Sequence, residues 1–388
     1  MDVKKIPLIL GLAGFVVMAD NWVVSPILPS IAGDIGVDVA RAALIITAYM
    51  IPFGLFQLIF GYLADRFGKR QVVSFSMVIF TVATALCSLA TGLTDLSIYR
   101  FLTGTFAASI MPISMALIGD LFPMQERHAA IGTFMGIAML GQGASMLLGG
   151  SIAYFFNWRG VFAVYAFIAI IVTALLLTTG KKIPSEKGRA IKKEELLKPY
   201  SDVLSKPRHL IIYLMVIFEG FFLAGIFSFL GAFIKVTYGF NNFLIGVVMT
   251  LFGIMAVAGS RLSGKAVPKF GRKKTIAIGL ALTVISALFF SVLGNILGVF
   301  IIGIGLFGFG QMFAHSTFLT IATGFSEKWR GVAMSFMPFC MMGGGGLGTA
   351  FGSTIVGNQS YTLLFILYGI GLTLLTLAVM ISKNDLFA

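Results

Sequence analysis

The chain has 388 residues, of which 58% are hydrophobic and 11% charged, against about a quarter charged in an ordinary soluble domain. A water-soluble globular protein is excluded, and at roughly 20 apolar residues per crossing the composition suffices for about ten to twelve transmembrane helices. The net charge of +13 is the balance of a nucleic-acid binder only if it lies on one soluble surface, and here it does not.

Apolar runs bounded by turn and charge clusters predict spans over residues 7–32, 43–64, 72–91, 96–119, 129–155 and 160–180. After a charged stretch they resume over 209–234, 243–263, 275–294, 296–324, 329–356 and 360–382. The first run, about 25 residues, is long enough to span rather than to serve as a cleaved leader. Barrel strands would be about ten residues long with alternating polarity, and these runs have neither property. The expected class is an all-α integral membrane protein of twelve transmembrane helices, with connections too short for a soluble catalytic domain. Residues 181–208 hold nine basic and four acidic side chains with Pro184, Pro199 and Pro207. They read as a cytoplasmic linker, helical around Lys192–Lys198, between an N-terminal six-helix bundle (1–180) and a C-terminal one (209–388). Cys87 and Cys340 fall in apolar runs and read as packing residues.

With the N-terminus placed inside, 24 of the 28 Lys and Arg residues fall on the inner side. Only Arg41, Arg159 and Lys235 fall on the outer side, and Arg100 lies within the fourth span. This asymmetry predicts a multi-pass plasma (inner) membrane protein with both termini cytoplasmic. Trp158 and Arg159 read as an interfacial anchor.

A shift of 203 residues brings GYLADRFGKR (61–70) onto GKAVPKFGRK (264–273), so that Gly61, Phe67 and Gly68 meet Gly264, Phe270 and Gly271. Arg127 then meets Arg330, Gly141 meets Gly344 and Gly149 meets Gly352, without a gap. Two pseudo-symmetric six-helix halves follow, alike in orientation because six is even, with a binding site between them near the midplane.

These residues resemble the major facilitator superfamily. GYLADRFGKR matches the family's motif A at Gly61, Asp65, Arg66, Gly68, Lys69 and Arg70. RFLTGTFAA in span 4 is similar to motif B, with Arg100 and Gly104 in place. PILPSIA from Pro26 resembles the twelve-span drug:proton antiporter branch. Span 5 departs from that branch: Gly132, Gly141, Gly149 and Gly150 fit its glycine ladder, but Ser145 and Met146 stand where Gly-Pro is expected, which leaves transport direction open. The resemblance implies the major facilitator fold and alternating access. Small residues on spans 5 and 11, the latter with Gly343 to Gly346 and Gly348, allow close helix approach. Asp65 is expected to meet the N-terminus of span 11, where the helix dipole favours negative charge, and to latch the halves shut on the inside. Arg66, Lys69 and Arg70 can hold lipid phosphates or carboxylates, and Gly61 and Gly68 permit the tight turn.

A charge at bilayer depth costs at least about 2.5–3.5 kcal/mol on insertion scales, so each one calls for a reason. Asp20, beside Asn21 in span 1, and Glu219, in span 7, are proton- or substrate-site candidates expected to face one central chamber from opposite halves. The bland alternatives are a structural hydrogen bond to Asn21 or Arg100 for the first and an interfacial carboxylate for the second. Arg100 is either a proton-path partner or a tie to a backbone carbonyl or Asp20. His315 is a candidate because histidine changes charge near neutral pH, the bland alternative being a hydrogen-bonded helix contact, and Gln57, Gln142 and Gln311 are candidate cavity donors or interhelical contacts.

Two acids among 38 Phe and 19 Met residues suit a flexible apolar cavity better than a sugar or anion site. The expected function is proton-coupled efflux of small lipophilic, cationic molecules by a monomer in contact with membrane lipids. The alternative is proton-coupled or facilitative uptake of a metabolite. No enzyme chemistry, cofactor, metal or nucleic-acid partner is expected: three histidines supply no metal cluster or nucleophile–base set, and a phosphate-binding G-x-x-x-x-G-K-S/T motif is missing.

Overall fold

The computed structural model describes residues 5–180, 193–326, 330–357 and 360–387, and every regular element among them is helical. Lys4, Lys328 and the 181–192 part of the expected linker lie outside the described residues.

Helix α1 (Ile6–Trp22) and α2 (Val24–Ile35) together make the first span, bent by 52°. Pro26 explains the bend: it has no N–H for the Trp22 carbonyl, and its ring crowds that carbonyl. After α2 stops on Gly36 in the left-handed region (φ 74°), Asp38 caps the short α3 (Val39–Ala42) by accepting from the Arg41 N–H at 2.6 Å. Helices α4 (Leu44–Phe67), α5 (Lys69–Ser88) and α6 (Leu93–Leu121) follow. The Asp95 carboxylate caps α6 by accepting from the Thr91 and Gly92 N–H groups.

Helix α7 (Met124–Gly180) is 57 residues long and breaks at Asn157 (φ 71°). A straight rod of that length would run about 85 Å, but the Tyr165 hydroxyl donates to the Ser145 carbonyl at 3.3 Å, so the second arm folds back along the first. The amphipathic α8 (Lys193–Leu204) occupies the helical stretch expected in the linker. Helix α9 (Pro207–Tyr238) leads to α10 (Asn242–Val292), which breaks at Gly271 (φ 79°). Gly259 and Gly279, on the two arms of α10, both lie against neighbouring turns of α11 (Leu297–Ala322), which requires the same folding back. Helix α12 (Arg330–Val356), α13 (Tyr361–Ile381) and a 3₁₀ turn (Asn384–Phe387) complete the chain.

Among the described residues, nine helices are long and apolar enough to cross a membrane, and the bent α1–α2 pair makes a tenth. Two helices reach past their predicted spans by five residues or more at a charged end. Helix α7 starts at 124 instead of 129, and the first arm of α10 runs through Arg261, Lys265 and Lys269 to the break at Gly271. Hydropathy marks where hydrocarbon ends, whereas backbone hydrogen bonds carry the helix on into the headgroup region. Polarity is distributed as a bilayer demands: Phe75, Phe155, Phe156 and Phe167 are exposed, while Asp20, Arg100 and Glu219 are enclosed.

The 203-residue repeat is visible in the backbone. Gly68 (φ 95°) and Gly271 (φ 79°) break helices at equivalent positions. The Tyr165–Ser145 bond recurs as Tyr368–Gly348 at 2.5 Å, each partner 203 residues later. One expectation fails: Gly61 lies inside α4 with open space around it, so only Gly68 needs glycine's freedom in the motif A turn.

One end of the bundle carries the 65–70 and 268–274 turns, α8 and the C-terminal turn. There Arg208 donates to Leu386, Arg272 to Phe387 and Lys273 to Ser382. It is called the basic end below, and its opposite the far end.

Candidate functional site

In the first half, Asp20 on α1 meets Arg100 on α6, with a 2.6 Å contact from Nη1 to Oδ2. The side chains are 0% and 1% exposed. Arg100 Nη2 also lies 3.4 Å from the Asp20 backbone carbonyl. The guanidinium sits 4.2 Å from the Tyr49 ring centroid and 5.7 Å from that of Phe162, so the cation is held by a carboxylate and two aromatic faces. Helix α6 approaches closely enough because Gly104 lies on the Tyr49 backbone, where a Cβ would overlap the carbonyl. Asp20 Oδ1 and Arg100 Nε have no hydrogen-bond partner.

The second half repeats the idea with different chemistry. Glu219 on α9 is 0% exposed, and its Oε2 lies 3.0 Å from Nδ1 of His315 on α11, whose side chain is 11% exposed. Glu219 Oε1 is buried without a partner. Gly220, next in sequence, lets α12 press onto α9 at the Met341 backbone.

Helices α9 and α11 are the 203-residue counterparts of α1 and α6, yet the pairs do not sit at the same height. The counterpart of Asp20 is Leu223, one turn past Glu219, and His315 lies about 12 residues, or ~18 Å, beyond the counterpart of Arg100 towards the basic end. The structure therefore brings Asp20 to Arg100 and Glu219 to His315, and it does not bring the two carboxylates together. Each is engaged inside its own half, unlike the single chamber expected from the sequence.

The remaining candidates scatter. Asn21 is half-buried; Gln57, Gln142 and Gln311 are buried, with Gln142 Nε2 lacking a partner. Arg66 is exposed beside the Phe67 ring, and Arg70 is half-buried. Lys69 pairs with Asp120 within its own half. Asp65 is exposed; its charged neighbours are Lys69 and Asp120, and the Tyr200 hydroxyl of α8 is near. The expected partner of Asp65, the start of span 11, lies partly outside the described residues. Trp158 is a correction: it is 1% exposed, and its Nε1–H donates to Asp34 at 3.0 Å. Arg159 pairs with the same carboxylate and donates to the Ala90 carbonyl. The break at Asn157 turns Trp158 inward, so its ring ties helices together instead of facing lipid, while Arg159 stays part-exposed.

Sequence reasoning did not find the groups that close the far end. Trp22 packs at 5.0 Å on Phe227 and at 5.7 Å on Phe252, and the Ser25 hydroxyl donates to the Phe227 carbonyl at 2.6 Å. Gly150 meets Gly246 and Gly143 meets Gly253 between α7 and α10, while Gly346 lies on Ile51 and accepts through its carbonyl from Thr47. Nearer the basic end, Gly132, Gly136 and Gly264 face open space. The halves are thus joined towards the far end, and α8 bridges them at the basic end: the Tyr200 hydroxyl donates to the Leu58 carbonyl, and its ring packs on Phe336. Repeated aromatics in spans gave no signal as to which would meet across the halves.

Comparison with known proteins adds four findings. The sequence model of the Major Facilitator Superfamily matches residues 10–349 and again 212–385. An uncharacterized MFS-type transporter of Bacillus subtilis (strain 168), YceJ, is 29% identical over 71% of this chain and 70% of its own. The multidrug transporter protein MdtP of the same organism is 34% identical over 45% of this chain and 32% of its own. Among solved structures, an auto inhibited POT family peptide transporter superposes with a TM-score of 0.79 at 14% identity, covering 97% of this chain and 96% of that one, a likeness of fold.

Proposed function

The chain belongs to the Major Facilitator Superfamily, and from that premise we propose that it is a proton-coupled exporter of small lipophilic cations working by alternating access. That it is a multi-pass membrane transporter and not an enzyme follows from the family itself. The direction, the cargo and the proton go beyond the family, and the observation that carries them is the buried Glu219–His315 pair between α9 and α11. Intramembrane ionisable groups that pair across helices are the usual components of proton relays. The likeness to a multidrug transporter over 45% of the chain supports the cargo class.

In this reading the two arms of α7 and of α10 each cross the membrane, which gives twelve crossings in two six-helix bundles, 1–180 and 209–388, joined by a linker over 181–208. The basic end is cytoplasmic, both termini with it, in a bacterial inner membrane; the protein works as a monomer, without nucleic acid, and lipid phosphates meet Arg66 and Arg70. The contacts towards the far end then close the outer side, and the described conformation opens inward. Asp65 biases the opposite, inward-closed state.

Purified protein in liposomes with an imposed pH step decides the matter. Lipophilic cations moving against the proton flux support the reading. Movement of a neutral metabolite down its own gradient, indifferent to pH, supports facilitative uptake and overturns it.

A further inference from the structure

We infer that the two buried pairs divide the work: Glu219 and His315 hold the exchangeable proton, while Asp20 and Arg100 remain charged throughout the cycle and serve as a fixed tie. The inference deepens the transport reading above and rests on it for the cargo class.

The partners differ in the one property that matters. A guanidinium is protonated at any pH a protein meets, so Asp20 has a permanent counter-charge at 2.6 Å, clamped by Tyr49 and Phe162. Neither member of that pair reaches solvent, at 0% and 1% exposure. Histidine is the side chain whose unperturbed form changes charge across physiological pH, so the Glu219–His315 contact can exist with one proton more or one fewer. The imidazole is the most accessible of the four groups, 11% exposed. It also lies in the half of α11 nearer the basic end, on the side where Gly132, Gly136 and Gly264 face open space.

Glu219 offers cargo a docking atom. Its Oε1 is buried and accepts from nothing, while Oε2 faces the imidazole. One carboxylate balances one positive charge, either the imidazolium or an organic cation. When cargo arrives as a monovalent cation, it takes the carboxylate; the N–H bond of the imidazolium breaks, the electron pair stays on the ring, and one proton leaves to the water at the basic end. The reverse order reloads the histidine. Charge and protons balance with no further reactant, and the exchange is one proton for one monovalent cation.

The other titratable groups on the helices packed around the pair are engaged elsewhere or exposed, apart from the buried thiol of Cys340. His209 stacks on Phe325 and meets the Val203 carbonyl, Tyr213 donates to Ala333 and Tyr368 to Gly348. Cys340 is buried, and Arg261 and Lys265 are exposed.

The test counts protons on the purified full-length protein between about pH 8 and about pH 5.5, a window that spans the titration of an ordinary imidazole. His315→Gln is expected to take up about one proton fewer than wild type. The double variant Asp20→Leu with Arg100→Leu, chosen because apolar replacement of a whole buried pair is tolerated better than loss of one partner, is expected to take up as many as wild type. Equal uptake by His315→Gln and wild type, or loss of a proton from the double variant, overturns the assignment. Binding of ethidium, a permanent cation, provides the second arm. Its affinity for wild type should fall about tenfold per pH unit on acidification while the proton competes, and the dependence should flatten in His315→Gln. A pH dependence surviving in His315→Gln overturns the inference. Wild type that binds no ethidium yet shows the His315-dependent proton supports the assignment and counts only against the cargo class proposed earlier.

Discussion

The α1–α6 pair and the α9–α11 pair sit on corresponding helices of a duplicated unit but at different heights, and in the proposed division of work they do opposite things. In one, a permanent cation, a carboxylate and two aromatic faces make an enclosed electrostatic knot. In the other, the partner is an imidazole, which is charged only when protonated, and in both pairs one carboxylate oxygen has no partner. The lesson is that burial by itself does not mark a working acid. Asp20 and Glu219 are equally buried, and the chemistry of the partner is what separates a strut from a switch.

The largest expected effect breaks the strut. Arg100→Leu leaves Asp20 as an uncompensated buried charge, which costs about 3–5 kcal/mol in such sites, and should lower the thermal midpoint of the detergent-purified protein far more than any change at Glu219. The double replacement with Asp20→Leu should restore most of the loss; failure to recover would mean the cost lies in packing. Next comes Tyr49→Leu, which removes the ring 4.2 Å from the guanidinium and should cost about 2 kcal/mol by the same assay. Glu219→Gln keeps a hydrogen bond to a neutral imidazole, so its stability loss should be about 1 kcal/mol, yet cation-driven proton release in liposomes should vanish. Equal destabilisation by Arg100→Leu and Glu219→Gln would erase the distinction between the pairs. The smallest effect belongs to Tyr49→Phe. The hydroxyl it removes has no partner and the ring face remains, so the midpoint should stay within the spread of an innocuous substitution, about 0.5 kcal/mol. Asp65→Asn lies outside both pairs and should slow transport while leaving ethidium affinity and the proton count untouched; unchanged turnover would count against the latch.

Much of the architecture was legible because hydropathy, turn residues and the 203-residue repeat speak about the backbone. The repeat even located two positions, Gly68 and Gly271, where the chain departs from helical geometry in the same way. The site was legible only as a set of residues. Asp20, Arg100, Glu219 and His315 announced themselves by the cost of charge in lipid, but which acid meets which base depends on helix rotation, and a single span with apolar residues on all sides carries no stripe to reveal it. Tyr49 and Phe162 were invisible for that reason, being two aromatics among many. Trp158 misled because its place at a span end suits an interface, while the residue that redirects it, Asn157, shows its role only through a backbone angle.

The glycine contacts of α7 with α10 have a last consequence. Gly150 and Gly246, like Gly143 and Gly253, touch main chain to main chain, so no long side chain has to find its rotamer each time this surface separates and reforms. Such a face can shut quickly and in one register, and it offers few polar groups along which a file of water molecules could thread. For the proton-coupled cycle proposed above, a gasket of bare peptide guards against short-circuit.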